Sequence, residues 1–448
     1  MSNPRRREGP ARRRAPTIPH SQPPEEKARP RRRSRLRRFL DVLGPGLVTG
    51  ASDDDPSGIA TYATAGASLG FATLWTAIVT LPLMFAVQFI CAKIGIVSGR
   101  GLAGVLRAHY PRAILYGAVA LLVVANTINA GTDIGAIAAA VNLIAPVPPA
   151  ILIVPIAAMI VALQVWSSYR RIAQIFKWLT LTLLAYVGAA LLAKPHWPEV
   201  LRATVIPALR ADNEFLTTFV AILGTTISPY LFFWQASQEV EEEVQRGHTT
   251  LRERRGASRK DLGNAATDTA VGMILSNFVC YFVILATAAT LHASGKTDVS
   301  SAADAAKALE PLAGAAAKYL FAVGLIGAGL LAVPVLTGSS AYAVAETFGW
   351  KYGLDTKPSE ARQFYAVIAV STLVGIAIDF LGINPIRALF WTAVINGILA
   401  VPLLVLVMLV SSNGAIMGRH KSGPLLNTVG WLTTGVMFAA AVALLLPG

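Results

Sequence analysis

Long apolar segments recur along the chain and are separated by Gly, Pro and charged residues. Segments of about 18 or more residues with few charges are long enough for an α-helix to cross a hydrocarbon layer of about 30 Å. The segments and the breaks between them predict eleven membrane-spanning helices. Their predicted bounds are 41–68, 71–97, 113–142, 149–166, 172–193, 214–240, 262–291, 314–345, 363–381, 385–410 and 427–446.

The composition agrees with this prediction. Of the 448 residues, 54% are hydrophobic and only 14% are charged, whereas a soluble globular protein has about 25% charged residues. The sequence therefore predicts an all-α polytopic protein, integral to the plasma membrane or, in a prokaryote, to the inner membrane. Cys91 and Cys280 both lie in apolar runs, and we expect them to be buried without a disulfide bond.

Most of the net charge of +14 lies in the first 38 residues, which hold 14 Lys or Arg and three Glu. This segment is also rich in Pro and has no apolar period, so we expect 1–38 to be a disordered cytoplasmic tail. Anionic lipid is its expected partner. Nucleic-acid binding is the alternative for such a basic segment, but no nucleic acid is expected as a partner. Residues 39–448 form the predicted membrane domain.

The distribution of Lys and Arg predicts an orientation. If the N-terminus is cytoplasmic and the helices alternate, 32 of these residues lie inside and 7 outside. The excess is expected on the cytoplasmic side. With eleven helices, the C-terminus would then lie outside.

Two of the predicted helices are interrupted near their middles. The first contains Asp53, Asp54, Asp55 and Pro56, and the second contains Pro229 after a run of small hydroxyl residues. Pro removes a backbone donor, and unwound backbone at membrane depth is tolerated only where protein or a cavity surrounds it. Breaks in helices one and six predict two inverted repeats of five helices, about 41–193 and 214–410, with a binding site between them and an extra helix at about 427–446.

Asp55 directly precedes the proline and is the residue expected to face that site. An ionised carboxylate at the bilayer centre costs several kcal/mol unless it is paired or hydrated. Helices two to ten contain almost no mid-span basic residue, so a cation from solution is its expected partner, with a buried ion pair as the alternative. Asp53 and Asp54 are expected to lie in the second coordination shell, to face water or to lie near the vestibule.

Across nearly all of 40–446 the sequence resembles the Nramp family of divalent-metal transporters. The resemblance rests on Gly44-Pro45-Gly46, the break at Asp55-Pro56, the break at Pro229 and the number of spans. It implies a LeuT-type fold and alternating-access transport of a divalent metal, without a cofactor and without enzyme activity. The positions that it implies as metal ligands are Asp55, Ser52, Gly58, Thr225, Ser228 and Asn396.

Three positions depart from the family motifs. Gly58 stands where the family motif has an Asn ligand, Ser228 stands in place of its Met, and Tyr230 stands in place of its His. Loss of the thioether removes a preference for soft ions, and Gly58 is expected to leave room, so the pattern resembles the family's magnesium-transporting branch. A partly hydrated Mg²⁺, with Mn²⁺ as a further substrate, is the expected cargo.

The same departures bear on proton coupling. Tyr230 does not titrate near neutral pH, and helix three carries Asn126, Asn129 and Asp133 where the resemblance implies a pair of acids. We therefore expect weak or absent proton coupling. Asp133 remains open, either as an acid facing the site or as a structural residue.

The main alternative is a proton-coupled Mn²⁺/Fe²⁺ importer of the ordinary Nramp type, for which Met at 228 and Asn at 58 would be expected. An organic-substrate transporter and a non-transporting Mg²⁺ sensor are weaker alternatives. An intramembrane aspartyl protease would need a Gly-x-Gly-Asp element, which the sequence lacks.

Overall fold

The computed structural model describes residues 42–166 and 181–446, within which all regular structure is helical. The α-helices are α1 (Pro45–Asp53), α2 (Pro56–Leu69), α3 (Leu74–Ser98), α4 (Leu102–His109), α5 (Arg112–Ile144), α6 (Pro149–Trp166), α7 (Ala185–Leu192), α8 (Trp197–Val205), α9 (Asn213–Thr226), α10 (Pro229–Gln245), α11 (Leu251–Arg254), α12 (Arg259–Thr290), α13 (Ala302–Ala306), α14 (Glu310–Ala313), α15 (Ala317–Phe348), α16 (Arg362–Ala377), α17 (Pro385–Ser412), α18 (Gly414–Met417) and α19 (Pro424–Leu445). Short 3₁₀ turns are Gly70–Thr73, Leu181–Leu184, His292–Ser294, Lys307–Leu309, Gly314–Ala316, Ile378–Leu381 and Gly418–His420. The predicted all-α fold class is confirmed.

Nine helical runs in the described residues are long and apolar enough to cross a membrane. This number is lower than eleven because α2 and α3 form one run, Pro56–Ser98, and because the fifth predicted span is only partly described. Its first part, 172–180, and the basic tail, 1–38, both lie outside the described residues. The fourth span, Pro149–Trp166, has the predicted bounds. Cys91 and Cys280 are both buried and free, as predicted.

Two amphipathic helices, α4 and α8, occupy connections that the hydropathy pattern treats as loops. With eight and nine residues they are too short to produce a spanning signal. Helix α4 is held by the buried carboxylate of Glu346 on α15, which accepts hydrogen bonds from the backbone N–H groups of Gly101 at 2.8 Å and Gly104 at 2.9 Å. The carboxylate thus satisfies donors that a helix start leaves without an intrahelical partner.

The two interrupted helices lie against neighbours at glycine contacts. A Cβ atom on Gly50 of α1 would lie 2.2 Å from the carbonyl oxygen of Gly272 on α12. A Cβ atom on Gly224 of α9 would lie 2.0 Å from the carbonyl oxygen of Ala393 on α17. Backbones this close exclude any side chain at these two positions. The glycines therefore allow α1 and α9 to pack closely against the helices beside them.

The start of α1 is held by Asp268 of α12. Its carboxylate accepts hydrogen bonds from the backbone N–H groups of Gly44 at 2.8 Å, Gly46 at 2.6 Å and Leu47 at 3.0 Å. These donors have no partner within their own helix, and a negative charge at a helix N-terminus is favourable. Asp268 therefore connects the first half of the chain to the second.

Candidate functional site

The first helix break lies between α1 and α2. Helix α1 ends at Asp53, and Asp55 caps the start of α2, whose first residue is Pro56. In a continuous helix the carbonyl of Ser52 would accept from the N–H four residues later, but that residue is Pro56, which has no N–H. The carbonyl accepts instead from the hydroxyl of Tyr230, at 2.8 Å. One lone pair of this buried carbonyl oxygen is thus occupied, out of two.

The second break repeats this arrangement. Helix α9 ends at Thr226 and α10 begins at Pro229. The carbonyl of Thr225 loses its donor because the residue four positions later is again a proline. It accepts from the hydroxyl of Ser228 at 2.7 Å. Both halves of the chain therefore present a helix-terminal carbonyl freed by proline, at Ser52 and Thr225, two of the positions that the family resemblance implies as ligands.

Asp55 lies at the first break with only 1% of its surface exposed. Its Oδ1 atom accepts from the backbone N–H of Gly58 and the hydroxyl of Ser57, both at 2.7 Å. Its Oδ2 atom accepts from the side-chain amide of Asn129 at 3.0 Å. A carboxylate has about four acceptor positions, so about one remains available. No Lys or Arg in the described part of the chain forms an ion pair with Asp55.

Asn129 of α5 connects Asp55 to two other polar residues. Its side-chain amide also donates to Asp133 at 3.0 Å, and its carbonyl oxygen accepts from the amide of Asn396 at 2.8 Å. Asn396 is thus connected to Asp55 through Asn129. The prediction of Asn396 as a ligand did not include this intermediate residue. Asn129 and Asp133 are four residues apart, which places both on one face of a helix. This spacing was a signal that the sequence contained.

Gly58 lies where the two breaks meet. A Cβ atom on Gly58 would lie 2.9 Å from Oγ1 of Thr225 and 3.4 Å from Oδ1 of Asp55. The hydroxyl of Thr225 is buried and has no hydrogen-bond partner within the described residues. The room expected beside Gly58 is therefore filled by a hydroxyl in this structure, and that oxygen is free to accept a further contact.

Asp53 and Asp54 are directed toward α12. The hydroxyl of Ser276 lies 2.6 Å from Asp53 Oδ2 and 3.2 Å from Asp54 Oδ1. The two aspartates are only 0% and 4% exposed, so the alternative in which they face water is wrong, while a place in the second coordination shell stays a prediction. The packing of α1 against α12 encloses them, which the sequence of a single helix could not show.

The donors around Asp55 are chemically uniform. The part of the chain that the structure describes contains no group of three or more His, Cys, Asp or Glu that could hold a metal ion. The donors near the breaks are carboxylate, carbonyl, amide and hydroxyl oxygens, with Asp55 as the carboxylate at the start of α2, and Ser228 stands where a thioether would bring sulfur. Such a set suits hard cations.

The sequence was compared with known families and proteins. The model of the family described as natural resistance-associated macrophage protein-like, Nramp, matches residues 46–447. The chain belongs to the Nramp family. Similar to it is the divalent metal cation transporter MntH of Klebsiella pneumoniae strain 342, which is 27% identical over 405 residues that cover 89% of this chain and 92% of that protein.

Solved structures show the same fold. A manganese transporter of Eremococcus coleocola aligns with a TM-score of 0.70 at 19% identity, covering 91% of this chain and 86% of that one. Mhp1, a nucleobase-cation-symport-1 family transporter, aligns with a TM-score of 0.56 at 16% identity, covering 90% of each chain. The fold of this Nramp protein is therefore of the LeuT type, with nine helical runs of membrane-spanning length in the described residues. Membership of this family supports metal cation transport as its function, and the relatives named here are transporters rather than enzymes.

Proposed function

We propose that this Nramp protein moves a divalent metal cation across the membrane by alternating access, with the ion bound between the two helix breaks. The observation that carries the proposal is Asp55, a buried carboxylate without a basic partner in the described residues, beside carbonyls freed by Pro56 and Pro229. Helix C-termini carry partial negative charge, so a cation supplies the charge that this arrangement lacks. Asp55, Ser52, Thr225 and Ser228 are the proposed ligands. Gly58 lies beside Asp55 and Thr225, and Asn396 is connected to Asp55 through Asn129.

We infer further that the preferred ion is Mg²⁺, with Mn²⁺ also accepted. Asp55 already accepts three hydrogen bonds, which leaves about one acceptor position for the ion. The four proposed protein ligands would leave about two of the six positions of an octahedral ion to water. Mg²⁺ keeps such waters because it dehydrates reluctantly, and the absence of sulfur at Ser228 removes the advantage of softer ions.

Weak or absent proton coupling is part of the same proposal. At the family's histidine position, Tyr230 donates its hydroxyl to the carbonyl of Ser52. A tyrosine in that role does not exchange a proton near neutral pH. Transport would then follow the electrochemical gradient of the ion.

A proton-coupled Mn²⁺/Fe²⁺ importer is the second candidate, and two observations favour it. The similar Eremococcus coleocola protein is described as a manganese transporter. In this chain, Asn129 bridges Asp55 and Asp133 with two hydrogen bonds of 3.0 Å. A second carboxylate so close to the first could receive a proton when the metal binds.

The remaining proposals concern placement. The excess of Lys and Arg supports a plasma-membrane protein with a cytoplasmic N-terminus and an external C-terminus. The basic tail, 1–38, is proposed to contact anionic lipid. We propose no nucleic-acid partner and no cofactor, because the metal ion is the substrate.

Flux into proteoliposomes with a pH-sensitive dye inside tests the function. The wild-type protein should carry Mg²⁺ and Mn²⁺ with little acidification, and Asp55→Ala should abolish both fluxes. Asp298→Asn is a matched control, because Asp298 is an aspartate whose side chain is 71% exposed, and it should keep wild-type flux. Mn²⁺ uptake with strong acidification and no Mg²⁺ flux would overturn the magnesium proposal in favour of the second candidate. Unchanged flux in Asp55→Ala would remove Asp55 from the site.

A further inference from the structure

A cavity of about 770 Å³ opens at one end of the helix bundle, away from the helix breaks. Three parts of the chain form its wall. These are the end of α3, the connection from α10 to α12, and the segment that follows α17. We refer to it as the arginine pocket, defined by Arg252, Arg255, Arg419 and His420.

The positive charge of the arginine pocket is uncompensated. None of its three arginines forms an ion pair within the described residues, and no carboxylate lines the cavity. The nearest acid in sequence, Glu253, is used elsewhere, since its carboxylate accepts from the backbone N–H of Thr250 at 2.9 Å. That hydrogen bond closes a capping box at the start of α11.

The arginine pocket is held together by direct contacts between its three segments. The backbone N–H of Gly256 donates to the carbonyl of Val97 at 3.1 Å, which fixes the α10–α12 connection to the end of α3. The ammonium group of Lys93 on α3 donates to the carbonyl of Lys421 at 2.9 Å, which fixes the segment after α17. Because these bonds order the loops in advance, less conformational entropy is lost when a ligand binds.

The charged neighbours of His420, Arg419 and Lys93, add to the positive potential around the arginine pocket. The Nε2 atom of His420 accepts from Nε of Arg419 at 3.2 Å. Partial burial, together with the positive charges of Arg419 and Lys93, lowers the pKa of His420 below its ordinary value. Cationic neighbours that disfavour a further positive charge favour an anion in the same place.

Phosphate is the anion that suits this donor set. A guanidinium group presents donors in a fixed fork that pairs with two phosphate oxygens at once, and three such groups surround one cavity. The volume accommodates a phosphate together with the group esterified to it. We propose that the arginine pocket binds a phosphate-bearing anion, supplied either by the headgroup of an anionic phospholipid or by a soluble phosphate compound. This inference does not depend on the identity of the transported ion.

Two probes distinguish the sources. Inorganic pyrophosphate is titrated calorimetrically into the full-length protein in a neutral detergent at low ionic strength. Native mass spectrometry then compares retention of phosphatidylglycerol with that of phosphatidylcholine. Binding of pyrophosphate alone supports a soluble ligand, and selective retention of phosphatidylglycerol alone supports a lipid headgroup. If neither probe binds to the wild-type protein, the proposal is overturned.

The variants separate the pocket from general surface charge. The triple variant Arg252→Gln, Arg255→Gln and Arg419→Gln should weaken binding about tenfold or more, because it removes the paired donors. The matched control is Arg259→Gln, Lys260→Gln and Arg362→Gln, which removes three exposed charges outside the cavity and should change binding less than about twofold. Equal losses in the two variants would overturn the proposal. If the triple variant does not fold, Arg419→Gln alone should still weaken binding, and an unchanged affinity would overturn the proposal.

Discussion

The backbone carbonyl of Ser52 cannot be removed by mutating Ser52 itself. Replacing Tyr230 with Phe removes the hydrogen bond to that carbonyl and so tests whether the carbonyl binds the metal. The buried hydroxyl of Tyr230 donates to the carbonyl of Ser52 at 2.8 Å, and Pro56 supplies no N–H in its place. Without metal, Tyr230→Phe leaves this carbonyl without a donor, which costs about 1–3 kcal/mol. With metal bound to the second lone pair, only an ordinary hydrogen bond is lost, at about 0.5–1.5 kcal/mol.

The difference between those two costs is about 1 kcal/mol. The Tyr230→Phe variant should therefore bind the metal more tightly than the wild type by this amount. This free-energy difference corresponds to about a fivefold lower Kd. The assay measures thermal unfolding in detergent across a series of Mg²⁺ and Mn²⁺ concentrations. The variant should unfold at a lower temperature than the wild type without metal, and metal should restore more of its stability.

Tyr186→Phe is the matched control. The hydroxyl of Tyr186 is also buried, but it has no hydrogen-bond partner among the described residues, so its removal should leave the metal affinity unchanged. The reasoning would be refuted if Tyr230→Phe lowered the unfolding temperature by the same amount at every metal concentration. That result would mean that the carbonyl of Ser52 does not contact the ion.

Two further substitutions follow from the packing around the breaks. Ser228→Met combined with Gly58→Asn should raise the ratio of Cd²⁺ to Mg²⁺ uptake, because it adds a soft ligand. Adding Thr225→Ala should increase flux further, because it removes the hydroxyl that lies 2.9 Å from a Cβ atom at position 58. An unchanged uptake ratio would assign selectivity to other residues. Gly224→Ala should destabilise the protein by about 1–3 kcal/mol or more in thermal unfolding, because its Cβ atom would lie 2.0 Å from a carbonyl oxygen. Gly263→Ala is the control, since the space around Gly263 is open, and it should be neutral or stabilising. Equal effects of the two variants would contradict the packing argument.

The apolar segments, together with the Gly, Pro and charged residues between them, predicted most of the helices, because each spanning segment has to be apolar over its own length. The span Pro149–Trp166 has the predicted bounds, and the break before Pro56 lies where the local chemistry required it. Helix α4 was not predicted, because it is too short to produce a spanning signal and because the Glu346 carboxylate that holds its start lies on α15. A contact between residues so far apart in the chain leaves no local pattern.

Some features of the candidate site could likewise be predicted from local sequence, and others depend on contacts between helices. Asp55 could be proposed as a site residue from the sequence because a carboxylate beside a proline in an apolar span has few structural explanations. The sequence places Asn129 on its helix, but the position of its side chain between Asp55 and Asn396 depends on how α5 and α17 pack around the break. The burial of Asp53 against Ser276 depends likewise on the approach of α12.

The sequence by itself determined the membrane class, the two helix breaks and the residue at the first break expected to carry the charge. Each of these follows from the chemistry of adjacent residues, such as a proline without an N–H or a carboxylate in an apolar run. Only the tertiary structure decided which oxygens surround Asp55 and which of them are already occupied. That information depends on contacts between helices, where Tyr230 reaches the carbonyl of Ser52 and the hydroxyl of Thr225 fills the space beside Gly58.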